Sequence, residues 1–150
     1  MQGRSNTDTC YICCKTGADS EDHVIPLSFF PRPRPKNLLK LPAHQGCQAG
    51  RIAESQDYVR NICSAFGPSG SSGERIWENE AKRYYERSPK MRQNLMSSLL
   101  AGKGRASGQP AIQIDTKRFY PALEKIVRGS LSASHRQTPT AKMYLQVANC

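Results

Sequence analysis

At 150 residues with 37% hydrophobic content, the chain has room for one compact domain, or for a very small module with a helical extension, and two large domains are excluded. Its 22 Lys and Arg stand against 12 Asp and Glu, a net charge of +10 that favours a polyanionic partner, nucleic acid being the commonest. Met1–Thr9 lacks the apolar core of a signal peptide, and no stretch approaches the roughly 18 apolar residues of a membrane span, so a cytoplasmic protein with reduced thiols and no membrane partner is expected.

In chain order, Asp22-His23-Val24-Ile25-Pro26-Leu27 reads as a short strand ending at a proline, and Asn37-Leu38-Leu39-Lys40-Leu41-Pro42 as a second. A helix is expected from about Ile52 to Cys63. Residues 64–73, with the run Gly67-Pro68-Ser69-Gly70-Ser71-Ser72-Gly73, read as a flexible linker. Glu74 to Arg87 carries Ile76, Trp77, Ala81, Tyr84 and Tyr85 at helical spacing, acidic early and basic late. Ser88-Pro89 restarts a helix running to Gly102. Gly102–Gly108 is another flexible, basic connection. Ala111–Ile114 alternates like a short strand, and Asp115 can cap a last helix to about Arg128, with Phe119, Leu123, Ile126 and Val127 as its apolar face. The division that follows is a module over 1–63, a linker over 64–73 and a mainly helical, basic extension over 74–150.

The six cysteines favour metal over disulfides, because two of them form Cys10-x2-Cys13 and a matching knuckle, His44-x2-Cys47, follows after about 30 residues. Four soft or borderline donors in that arrangement suit a closed, structural, tetrahedral Zn²⁺ site. Metal binding would supply folding energy that so small an apolar core lacks. A Cys10-x3-Cys14 pairing is the alternative, the two-residue spacing being the tighter knuckle. Cys63 and Cys150 have no partner motif and read as a packed and an exposed thiol.

Cys10-x2-Cys13, then Asp22-His23-Val24-Ile25-Pro26-Leu27-Ser28, then Asn37-Leu38-x2-Leu41 leading into the second knuckle resembles the HNH nuclease family over roughly residues 10 to 61. Lys125-Ile126-Val127-Arg128-Gly129 is similar to a C-terminal segment of some bacterial HNH proteins. The resemblance implies an α+β fold: a small zinc-stapled ββα-metal (HNH, or His-Me finger) module followed by a helical extension. It also implies a metal-dependent endonuclease hydrolysing phosphodiester bonds in DNA. His23 would activate water, Asp22 would ligate a catalytic Mg²⁺ or Mn²⁺, and Asn37 would brace the loop that holds His23. Where the family carries a further metal-binding His after the second knuckle, this chain has Gln48. Either Gln48 itself, Glu54, Asp57 or Asn61 completes the site, Glu54 and Asp57 lying one helical turn apart, or the metal is held weakly, or the site is inactive.

For substrate contacts, Pro31-Arg32-Pro33-Arg34-Pro35-Lys36 is extended and basic, and Arg32, Arg34 and Lys36 would follow a phosphate backbone. Lys82, Arg83, Arg87, Lys90 and Arg92 form a second basic cluster, and Lys117, Arg118, Lys125 and Arg128 a third; phosphate contacts of this kind give affinity, not base readout. Two rival readings keep the zinc: a catalytically inactive nucleic-acid-binding or regulatory module, which Gln48 favours, and a protein-interaction module presenting Trp77, Tyr84 and Tyr85.

Overall fold

The computed structural model describes residues 8–100 and 113–137. Within them the chain is α+β, a two-stranded antiparallel sheet with several helices. Strand β1 (Ser20–His23) pairs with β2 (Lys40–Ala43), Ser20 opposite Ala43 and His23 opposite Lys40. Both strands are displaced from the expected segments. Pairing extends only one step beyond His23, where the Val24 amide donates to the Leu39 carbonyl at 3.0 Å. Pro26 has no amide to continue the ladder, and it opens the 3₁₀ turn Leu27–Phe29 instead. Pro42 is accommodated inside β2 because each strand has only one neighbour in the sheet.

Helix α1 (Gln45–Gln48) is followed by α2 (Arg51–Ala65), with Gly50 between them at φ 58° and ψ −123°, a conformation that favours glycine. The expected helix is thus present and slightly longer. Beyond it, residues 64–73 are not a flexible linker: they hold the end of α2, a turn and the start of α3 (Ser72–Ile76). The glycines there serve close packing. A Cβ at Gly67 or Gly73 would stand 3.0 or 2.8 Å from the Cys63 carbonyl oxygen. Ser71 caps α3 by accepting the Glu74 amide at 3.2 Å, and the Glu74 carboxylate accepts the Gly70 amide at 2.6 Å, a reciprocal arrangement that satisfies two otherwise unpaired donors.

The expected helix over 74–87 is one helical path broken by a π turn at Trp77–Ala81, between α3 and α4 (Lys82–Arg87). Ile76, Ala81 and Tyr85 are buried on it, while Tyr84 is exposed. Trp77 lies against the buried Tyr85 with ring centroids 5.4 Å apart, so of the three aromatics expected on a partner surface Tyr85 belongs to the core and Tyr84 stays exposed. Helix α5 spans Pro89–Leu100. Gly102–Gly108 lies outside the described residues, as do Ala111 and Ile112, and Gln113 and Ile114 form no strand.

Helix α6 (Thr116–Gln137) begins as expected: the Asp115 carboxylate accepts the Lys117 and Arg118 amides at 3.1 and 3.4 Å. It runs well past Arg128, and its buried face is not the apolar one. Leu123 and Val127 are exposed, whereas Pro121, Ala122, Lys125 and Gly129 are buried. Pro121 removes a donor in mid-helix. The fully buried Ser55 of α2 bridges there, its hydroxyl accepting the Ala122 amide at 2.8 Å and donating to the Phe119 carbonyl at 3.4 Å. Through this contact and Lys125, the expected module and extension share one packed unit.

Candidate metal centre and the adjoining hairpin face

The knuckle at Cys10 is built by backbone bonds. The Cys10 amide donates to the Lys15 carbonyl at 2.9 Å, and the Cys14 amide to the Cys10 carbonyl at 2.8 Å, with Cys14 at φ 61°. This tight turn presents the Cys10 and Cys13 thiols on one side, and the short helix α1 presents His44 and Cys47 across from them. The ligand atoms of Cys10, Cys13, His44 and Cys47 all lie within 4.8 Å of one another, so Cys13 completes the set; Cys14, against the expectation of reduced thiols, is disulfide-bonded. His44 Nδ1 is 3.3 Å from Cys13 Sγ and 3.7 Å from Cys47 Sγ. Adjacent ligands of a tetrahedral Zn²⁺ are separated by about 3.5 to 3.8 Å, so the donor set fits that ion.

The surroundings orient the ligands for it. His44 Nε2 donates to the Thr16 carbonyl at 3.2 Å, which leaves the Nδ1 lone pair facing the thiols. The His44 amide donates to Cys10 Sγ at 3.4 Å. The Cys47 thiol is pushed up to about 12, first by burial and then by its hydrogen bond with Cys13 and the neighbouring thiols. At Cys13 burial acts in the same direction, but hydrogen bonds from the Lys15 backbone and from Cys47 and Cys10 prevail and lower its pKa. Metal binding here therefore displaces protons, most of all from Cys47. Cys63, expected to be packed, is exposed as a residue, though its thiol borders a cavity and burial raises its pKa; Cys150 lies outside the described residues.

The hairpin packs directly on this centre. Cys10, Tyr11, Ala18, Val24, Leu41 and Ala43 form one buried cluster, with Cys13 and Cys47 against it. Asp22 and His23 sit consecutively at the end of β1, so their side chains leave opposite faces of the strand. The Asp22 carboxylate faces α6: Lys125 Nζ is 2.7 Å from Oδ2, and the Tyr11 hydroxyl donates to the same oxygen at 2.5 Å. Burial, and then that bond to Asp22, hold the Tyr11 hydroxyl well above the usual phenol range. Lys125 Nζ also donates to the His23 carbonyl at 3.0 Å, and the lysine is only 2% exposed. His23 itself is half-buried, and among the described residues its imidazole makes no side-chain hydrogen bond.

The remaining expected site residues are dispersed. Asn37 is exposed and makes no side-chain hydrogen bond among the described residues, so it does not brace the loop. Gln48 donates to Ser20 Oγ at 2.6 Å, and Ser20 in turn donates to the Ala43 carbonyl, so Gln48 ties α1 to the foot of the hairpin. Asn61 Oδ1 accepts from Arg60 Nε and Nη2. Glu54 and Asp57 border a separate cleft with Asn61. Among the described residues, the thiol–imidazole cluster is the one group of three or more His, Cys, Asp or Glu side chains placed to hold an ion.

The proline–arginine loop is docked rather than free. Arg34 Nη2 lies 3.4 Å and Arg32 Nε 3.7 Å from the Glu80 carboxylate of the π turn, while Lys36 is exposed. Lys125, placed by its sequence neighbours among surface cations, is buried. It and Tyr11 are the residues of the site that composition and spacing miss; the one signal was the short Lys125–Gly129 string.

No helix of the described residues is long and apolar enough to cross a membrane. Compared with known protein families, curated proteins and solved structures, the chain has no match.

Proposed function

We propose that this chain is a DNA endonuclease of the HNH kind, hydrolysing phosphodiester bonds with His23 as the base that activates water. One observation carries this reading: a short hairpin and a following helix stand on a Cys₃His cluster fitted to Zn²⁺, with the His23 imidazole at the strand end making no side-chain hydrogen bond among the described residues. Imidazole is the side chain whose ordinary titration lies nearest neutrality. It takes the proton of an attacking water and leaves its own ring available to return it. Cys10, Cys13, His44 and Cys47 would hold a zinc with four protein ligands, a set that would leave no open position and so would support the fold rather than bind the reacting water. Positive side chains, Lys36 and those of α4 among them, supply sequence-independent affinity for the phosphates.

A catalytic Mg²⁺ or Mn²⁺ would ordinarily neutralise the charge that builds on the phosphate. The described residues do not fit such an ion as they stand, because no group of three or more ligand side chains includes Asp22 and its Oδ2 already meets the Lys125 ammonium and the Tyr11 hydroxyl. That same pairing favours a second reading, a nucleic-acid-binding or regulatory module without hydrolytic activity.

Nicking of supercoiled plasmid separates the two. The purified protein is assayed with Mg²⁺, Mn²⁺ or chelator beside a His23→Ala variant whose zinc content is unchanged. Nicking that falls about 100-fold or more in the variant is the expected result, the usual contribution of a general base. DNA binding without cleavage under any of these conditions would leave the binding module.

A further inference from the structure

Between α2, α4 and the start of α6 lies a cleft of about 270 Å³, near the lower end of small-molecule sites and large enough for one planar ring system. Glu54, Asp57 and Tyr58 line it from one face of α2, Tyr84 from α4 and Arg118 from α6. Arg60 enters with its guanidinium fixed, Nε and Nη2 donating to Asn61 Oδ1 at 3.3 and 3.2 Å and Nη1 standing 3.9 Å from Asp57. The Arg118 guanidinium lies 4.5 Å from the centre of the Tyr58 ring and has no carboxylate partner among the described residues. The Glu54 carboxylate likewise has no hydrogen bond or ion pair among them, its amide alone donating, to the Gly50 carbonyl. Tyr84 is 49% exposed and braced edge-on by the buried Tyr85, ring centroids 5.8 Å apart at 80°.

This combination selects among ligands. A simple anion meets two carboxylates, a cation meets two guanidiniums, and an apolar molecule would strip solvent from all four charges without replacing it. What fits is a planar group with adjacent N–H donors on one edge, acceptors on another and a face for an aromatic ring. Guanine has all three: N1–H and the N2 amino group as paired donors for a carboxylate, and O6 and N7 as acceptors for an arginine. Adenine and cytosine lack the donor pair. We propose that this cleft receives a single unpaired guanine of a nucleic-acid strand, stacked on Tyr84 with its donor edge to Glu54 and Asp57 and its acceptor edge to the arginines. The assignment rests on the nucleic-acid reading and adds base preference to a surface otherwise suited only to phosphates.

The test is fluorescence anisotropy at fixed salt with two labelled oligothymidylates, one carrying a central dG and the other a central abasic site. The quantity read is the ratio of their affinities. Wild type is expected to favour the guanine strand by about 5-fold or more, as loss of one stacked base ordinarily costs. Tyr84→Ala and the double variant Glu54→Gln, Asp57→Asn should bring the ratio to about one, with zinc content unchanged, all three positions being exposed. A wild-type ratio of one with both strands bound overturns the base site and leaves the nucleic-acid reading intact. Failure to bind either strand overturns that reading, and the site with it. Tyr84-dependent binding of 5′-GMP alone, beside a ratio of one, overturns the strand assignment in favour of a mononucleotide site.

Discussion

Lys125 reaches from the fifth decade of the second half of the chain into the hairpin, where its ammonium joins the Asp22 carboxylate and the His23 carbonyl with 1% of its side chain exposed. A pair this buried contributes little net stability by itself, because the desolvation of both ions offsets their attraction, but removing one partner strands the other. Lys125→Met is therefore expected to cost about 3–5 kcal/mol in urea unfolding, with Asp22→Asn in the same chain recovering part of the loss. One helical turn on, Gly129 leaves no space: a Cβ there would stand 2.6 Å from a Val24 methyl and 3.0 Å from the Tyr11 ring. Gly129→Ala should cost about 1–3 kcal/mol from overpacking, read as a lowered Tm at unchanged zinc content. Neither role was legible in the residues alone. A lysine among surface-type neighbours and a glycine inside a helix look like solvated and weak positions until the partner strand is in place.

At the level of elements, the zinc ligands were the most legible feature, because coordination geometry acts locally: two residues between donors bring both to one side of a turn, whatever the rest of the chain does. Strand limits were less so, since Pro26 and the pairing of Ser20 with Ala43 are decided across the hairpin. Periodicity chose the wrong face of α6. Pro121 and Ala122 are small and weakly hydrophobic, yet they are what α2 can approach closely, and the Ser55 hydroxyl replaces the hydrogen bond that the proline disturbs. Ser55→Ala is expected to leave the Ala122 amide buried without a partner, at a cost of about 1–3 kcal/mol. Amide exchange should then accelerate locally in α6 around Ala122. The glycine-rich run after α2 was misread for a similar reason: its glycines are required by the approach of Gly67 and Gly73 to the Cys63 carbonyl, a distance that composition does not encode.

For the molecule as a whole, the metal centre, the hairpin and α6 are one structure, which predicts how loss of zinc spreads. Chelation should expose Cys10, Cys13 and Cys47 to alkylation, identified residue by residue by mass, and should increase amide exchange in β1, β2 and the second half of α6 together. Protection that persists in α6 after chelation would contradict the shared packing. A structural zinc contributes on the order of 10 kcal/mol to folding in small modules, comparable to the whole stability of a domain this size. The α+β class and the four residues of the Cys₃His cluster could be read from the sequence. The way the helical half completes the hairpin could not, because it depends on contacts about a hundred positions apart.

That separation also orders events in time. The knuckles and hairpin are complete by Cys47, but their third wall arrives with Lys125, and about eighty residues of synthesis at roughly 5–20 residues per second separate the two by several seconds. During that interval a nascent chain holds a finished set of metal ligands beside a Tyr11 ring and an Asp22 carboxylate still open to water. Metal capture can thus precede closure of the core, which waits for the docking of the last helix, a long-range contact of the kind that slows folding in general.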